Sequence, residues 1–130
     1  MLEQNSLICV IEDNYYIRKL FLTLFQKAGY KTIAFADGNS SLVWLKDNRP
    51  DALLIDILLP DINGKEILKI FKESQTNAAI PAVAVTGFSN LAEVEKLLAI
   101  GFDGVITKPI NNSTFVEEVV KLFNLHKLIN

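Results

Sequence analysis

Five residues whose side chains could do chemistry each sit at the end of an apolar run. Glu12 and Asp13 follow LICVI, Asp56 closes DALLID, Thr86 closes IPAVAVT, and Lys108 follows GVIT. A carboxylate such as Asp56, entered directly from Ala52-Leu53-Leu54-Ile55, is costly to desolvate unless something compensates it. If the runs end at one edge, three carboxylates, a hydroxyl and an ammonium share one cleft, and the like charges repel. A hard divalent cation would relieve that repulsion, and Mg²⁺ favours one or two carboxylates together with phosphate oxygens and water. A carboxylate beside Mg²⁺ and a lysine is also a nucleophile towards phosphorus, forming an aspartyl phosphate while the cations stabilise charge on the transferring oxygens.

The elements that would place these residues follow from the hydrophobic pattern. Strand-like runs at Leu7–Ile11, Lys31–Ala36, Asp51–Asp56, Ile80–Thr86 and Gly104–Thr107 alternate with segments of helical period. The first helical segment, 14–28, carries Ile17, Leu20, Phe21, Leu24 and Ala28 on one stripe, with Gly29 to close it. The second, 37–48, turns Leu42, Val43 and Leu45 inward, and the third, from Gly64 to Glu73, uses Ile67, Leu68 and Phe71. The fourth, 89–101, sets Leu91, Val94, Leu97 and Leu98 on one face and stops at Gly101. The last begins at Asn112 or Ser113 and runs to Leu128. Five βα units with unbroken apolar strands predict a doubly wound parallel α/β sheet covered on both faces. Ligands in such folds bind beyond the carboxyl ends of the strands. No composition break interrupts the chain, so a single domain over 1–130 is expected.

Composition removes several function classes. The 13 basic and 15 acidic residues leave a net charge of −2, with no basic excess for nucleic acid. Cys9 is the one cysteine, so no internal disulfide forms and the thiol reads as core. With one histidine and one cysteine a zinc site has no ligand set; His126 reads as a surface residue favoured by a helix C-terminus. No secretory signal and no membrane-length apolar run are visible, which reads as a cytoplasmic protein without membrane contact.

The stretches ICVIEDN, ALLIDILLPDINGKE, AVTG and VITKPI, in this order on five βα units, resemble the receiver domains of two-component response regulators. The resemblance spans essentially the whole chain. It implies a CheY-like (flavodoxin-like) fold with strand order 2-1-3-4-5. It further implies that Asp56 is the phosphoacceptor, that Glu12 and Asp13 hold Mg²⁺ with Asp56, and that Leu58 lends the metal a backbone carbonyl. Thr86 would bond a phosphoryl oxygen and Lys108 pair with another. Pro60 and Gly64 match the loop after the acceptor, and the peptide before Pro109 is expected to be cis. The partner implied is a sensor histidine kinase or a histidine phosphotransfer protein. With no DNA-binding or catalytic segment after the last helix, a stand-alone receiver signalling through protein contacts is expected, rather than an enzyme.

Two departures from the family pattern matter. Val105 occupies the switch position where the family carries an aromatic ring, and a stiff β-branched side chain cannot sweep the same volume; Phe102 and Phe88 lie nearby as substitutes. Leu58 and Phe88 are apolar at the positions that influence attack by water, so slow self-dephosphorylation is expected. On the first helix, Tyr15, Lys19, Leu22 and Gln26 form a second face beside the acceptor edge, where a kinase or phosphotransfer helix would dock. The competing readings are distinct. Glu12 and Asp13 could merely cap the helix. A Mg²⁺-dependent phosphohydrolase would want an acid at Leu58. A receiver-like module that is never phosphorylated, or a receiver cut from a hybrid kinase or larger regulator, would look similar.

Overall fold

Short buried strands joined by amphipathic helices leave one way to cover both faces of a sheet, with right-handed crossovers placing helices on each side. The computed structural model describes residues 2–87 and 90–129, residues 127–129 by backbone alone. Its elements are β1 (Leu7–Ile11), α1 (Tyr15–Lys27), β2 (Lys31–Phe35), α2 (Gly38–Asp47), β3 (Ala52–Asp56), α3 (Gly64–Lys72), a 3₁₀ turn (Gln75–Asn77), β4 (Ala82–Thr86), α4 (Leu91–Ile100), β5 (Gly104–Thr107) and α5 (Phe115–Ile129). The sheet has the order β2-β1-β3-β4-β5, as the resemblance implied, with every pairing parallel.

Alternation along the strands splits the core in two. Cys9, Ile11, Leu53 and Ile55 face Ile67, Leu68, Phe71 and Leu97, while Ile8, Val10, Leu54 and Val85 face Phe21, Phe25, Phe115 and Phe123. The Phe21 and Phe115 rings stack at 4.7 Å and tie α1 to α5. Burial pushes the Cys9 thiol up to about 12, in keeping with a core residue. Helix starts are set by Asn14, Asp37, Asn63 and Asn90, whose side chains accept backbone N–H groups of the first turn. Glu12 and Asp13 are therefore not the cap of α1. Gly101, at φ 127°, ends α4 in a conformation that a Cβ would disfavour. Among the described residues no helix is long and apolar enough to cross a membrane.

The structure corrects four details of the sequence reading. Val43 is 70% exposed, and its neighbour Trp44 packs against Phe35 instead. On α4 only Leu97 is buried, flanked by half-buried Val94 and Ile100, because the helix meets the sheet along one narrow i, i+3 stripe; Leu91 and Leu98 face outward. The turn before α5 is organised by Asn111, not Asn112 or Ser113: its side chain accepts the Ser113 N–H at 3.0 Å and its carbonyl the Phe115 N–H at 2.9 Å.

His126 is the largest correction. It lies 8% exposed on the same buried stripe of α5 as Phe115, Val119 and Phe123. Its Nδ1 is 2.7 Å from Asp103 Oδ1 and its Nε2 is 2.9 Å from the Ala78 carbonyl. A carbonyl only accepts, so Nε2 carries a proton. Asp103 Oδ2 in turn accepts the Ala82 N–H, and Lys72 Nζ donates to the Asn77 and Ile80 carbonyls. This network closes the sheet end opposite the strand-end carboxylates.

Candidate functional site

The carboxyl ends of β1, β3, β4 and β5 bring the predicted residues together. Asp56 is the last residue of β3 and 5% exposed; Glu12, one past β1, is fully buried; Asp13 is exposed. Oxygens of these three carboxylates lie within 4.8 Å of one another. Lys108, one past β5, places Nζ 3.3 Å from Asp56 Oδ2 and 2.9 Å from Glu12 Oε1. The second contact is a close ion pair to a buried oxygen. Glu12 Oε2 accepts the Asn14 N–H at 3.1 Å, and Asp56 Oδ1 accepts the Leu58 N–H at 3.3 Å.

Backbone pairing puts Lys108 there. Register aligns Asp56 with Val85 and Thr86 with Thr107, and the Lys108 N–H donates to the Thr86 carbonyl at 2.8 Å. The Lys108–Pro109 peptide is cis. Thr86 is buried at the end of β4. Below Asp56, Gly64 donates its N–H to the Ile57 carbonyl, and a Cβ at Gly64 would stand 2.6 Å from the Asp56 carbonyl oxygen. The α3 N-terminus can approach the acceptor strand because glycine occupies that position.

Charge balance follows from burial and spacing. Desolvation raises the Glu12 carboxyl to about 7, the Asp56 charge adding to the rise and Lys108 opposing it. For Lys108, burial works against the ammonium, but the Glu12 and Asp56 carboxylates outweigh it and hold its proton above the ordinary lysine range. Three hard carboxylates around one point, one of them buried and neutralised only in part by the Lys108 ammonium, fit a divalent cation with oxygen ligands; Glu12, Asp13 and Asp56 are the residues that could hold it.

Two contributors had no signal in the sequence patterns. Asp61, in the loop after the acceptor, accepts the Gly38 and Asn39 N–H groups at 2.9 and 2.8 Å, bonds that lower its carboxyl and pin the loop to the start of α2. Arg18 reaches back from α1 to the carbonyls of the acidic pair.

The remaining expectations divide. Tyr15, Lys19 and Gln26 are exposed, Gln26 donating to Thr32 Oγ1 of β2 at 2.8 Å, but Leu22 is half-buried against the second core. The face is therefore open at three of the four positions and closed at Leu22, where α1 packs along β2. Val105 is half-buried against the first core, and Phe102 is buried within it. Phe88 lies outside the described residues.

The sequence signature described as the response regulator receiver domain matches residues 8–120. The chain belongs to this family. Receiver domains serve two-component signalling and bind Mg²⁺ at an acidic cluster of the kind formed by Glu12, Asp13 and Asp56. Among relatives of this receiver is the polar-differentiation response regulator DivK of Brucella anthropi, 35% identical over 112 residues that cover 86% of this chain and 91% of DivK. The chemotaxis response regulator CheY4 of Vibrio cholerae shares the fold at a TM-score of 0.85 and 23% identity, over 90% of this chain and 98% of CheY4. The receiver domain of a signal transduction histidine kinase from Syntrophus aciditrophicus superposes with a TM-score of 0.80 at 25% identity, over 92% of this chain and 90% of that one.

Proposed function

We propose that this receiver is a phosphoacceptor switch that takes a phosphoryl group onto Asp56 from the phosphohistidine of a sensor histidine kinase or phosphotransfer protein. The observation that carries the reading is the Lys108 ammonium standing between Asp56 and Glu12 at 3.3 and 2.9 Å, within a set of three converging carboxylates. An Asp56 carboxylate oxygen attacks phosphorus, the new O–P bond forms, and the N–P bond breaks with its electron pair returning to the donor imidazole. Lys108 is placed to exchange its contact with an Asp56 oxygen for one with a phosphoryl oxygen, and Thr86 to donate its hydroxyl to another. Mg²⁺, held by Glu12, Asp13, Asp56 and the Leu58 carbonyl, would neutralise charge on the transferring oxygens.

The outward Leu58 side chain brings no polar group to orient water, which supports a long-lived phosphoryl group. Tyr15, Lys19 and Gln26 supply the exposed part of a docking surface on α1. Val105, packed against the core, leaves no aromatic ring to carry the switch at that position, so the signal passes through protein contacts set by the Thr86 and Lys108 loops. The protein acts in the cytoplasm without contacting nucleic acid or membrane.

Intact mass after incubation with a small phosphodonor tests the reading. The expected result is a gain of a single phosphoryl group that needs both Mg²⁺ and Asp56, and is absent in Asp56→Ala. No gain under any condition would instead support an interaction module that is never phosphorylated.

A further inference from the structure

The carboxylates of Glu12 and Asp13 hang from a loop between β1 and α1, and Arg18 grips that loop from the helix side. Its Nη1 donates to the Glu12 carbonyl at 2.9 Å and the Asp13 carbonyl at 3.3 Å. The guanidinium is itself steadied, with its carbon 5.7 Å from the centre of the Tyr15 ring. The main-chain N–H of Arg18 bonds the Asn14 carbonyl at 2.9 Å, and the Asn14 side chain caps the helix through Ile17. One side chain thus fixes the backbone of both acidic residues relative to α1.

We infer that Arg18 is a positioning residue for divalent-cation binding, holding the Glu12–Asp13 backbone so that both carboxylates converge on Asp56. The inference rests on the metal reading above. Arg18 touches the carbonyls and leaves the carboxylates free for a ligand. Its role is opposite in sign to that of its charge: a cation near a cation site repels the metal, so by charge alone removing it would tighten binding. Orientation by outer partners of a metal site acts the other way, and its loss typically weakens affinity by 10- to 100-fold. Lysine separates the two effects. It keeps the charge, but its shorter reach and non-planar ammonium lose the guanidinium's hold on the two carbonyls and its seat over the Tyr15 ring.

The test is Mn²⁺ binding by the full chain, followed by electron paramagnetic resonance, with Mg²⁺ measured by competition, on wild type, Arg18→Ala, Arg18→Lys and Tyr15→Leu. Affinity is expected to fall about tenfold in Arg18→Ala, and by lesser amounts in Arg18→Lys and Tyr15→Leu. The phosphorylation rate from a small phosphodonor at saturating Mg²⁺ is expected to stay within about twofold of wild type, which places the defect in binding. Unchanged or tighter Mg²⁺ binding in Arg18→Ala overturns the inference, as does a loss of saturating rate at constant affinity. Should the alanine variant not fold, wild-type affinity in Arg18→Lys and Tyr15→Leu overturns it equally. A wild type that binds neither cation removes the metal reading itself, whereas unchanged affinity in the variants of a cation-binding wild type removes only the role of Arg18.

Discussion

Replacing Asp56 with asparagine should stabilise this protein in the absence of divalent cations, although it abolishes the acceptor. The substitution keeps shape and removes one charge. At an effective dielectric of about 20, two like charges at the 4.8 Å outer limit of this cluster repel by about 3.5 kcal/mol, and the Lys108 attraction at 3.3 Å is worth about 5 kcal/mol. Asp56 is repelled by both Glu12 and Asp13 but attracted by Lys108 alone, so its charge is a net cost of about 2 kcal/mol by this arithmetic. Solvent around exposed Asp13 reduces that to about 1 kcal/mol or less. Lys108 keeps Glu12 as a partner in the variant, so no buried ammonium is stranded. The assay is denaturant unfolding at pH 8 in a chelator, above the Glu12 carboxyl at about 7, repeated with Mg²⁺. The variant's midpoint should exceed that of wild type in chelator. Mg²⁺ at a hundred times its dissociation constant should then add about 2.7 kcal/mol to wild type and less to Asp56→Asn. A variant less stable than wild type in chelator would refute the reasoning, since it would mean that Lys108 already more than compensates the three carboxylates.

Three further outcomes follow from particular contacts. Glu12 has its folded carboxyl raised from 4.5 to about 7, so the native state binds a proton there that the unfolded chain has released; the resulting stabilisation is complete below pH 4.5 and is lost as pH rises through 7. Unfolding midpoints across that window, without metal, should show this decline flattened in Glu12→Gln. Gly64→Ala drives a Cβ to 2.6 Å from the Asp56 carbonyl oxygen, a backbone atom that cannot swing away; a loss of about 1–3 kcal/mol and slower phosphorylation are expected, and an unchanged denaturation midpoint would contradict the close packing. His126→Phe leaves the Ala78 carbonyl without its ring donor and removes the contact with the half-buried Asp103 carboxylate; it should cost about 1–3 kcal/mol in unfolding free energy while mass-detected phosphorylation of the folded protein persists.

Much of this was legible in the sequence because it is local. Whether a five-residue run is apolar on both faces, where a helix stripe lies and where glycine ends it are settled within a few residues, and parallel packing follows from covering both faces of such strands. Strand ends then carry Glu12, Asp13, Asp56, Thr86 and Lys108 to one edge whatever the loops do. The tertiary structure decided which atoms meet. Glu12 touches Lys108 directly because the segments after β1 and β5 converge although 96 positions separate the two residues. His126 is buried because α5 runs on over the sheet to the turn before β4, and Leu22 is half-buried because α1 packs along β2. Val43 loses the inward place that helical period assigned it, and Trp44 packs inward instead because Phe35 stands opposite it. Arg18 carries no motif: nothing in a residue's type states which carbonyls it will reach once the chain has turned back on itself. Periodicity states which face of an element is apolar, and contact between distant elements determines what that face meets.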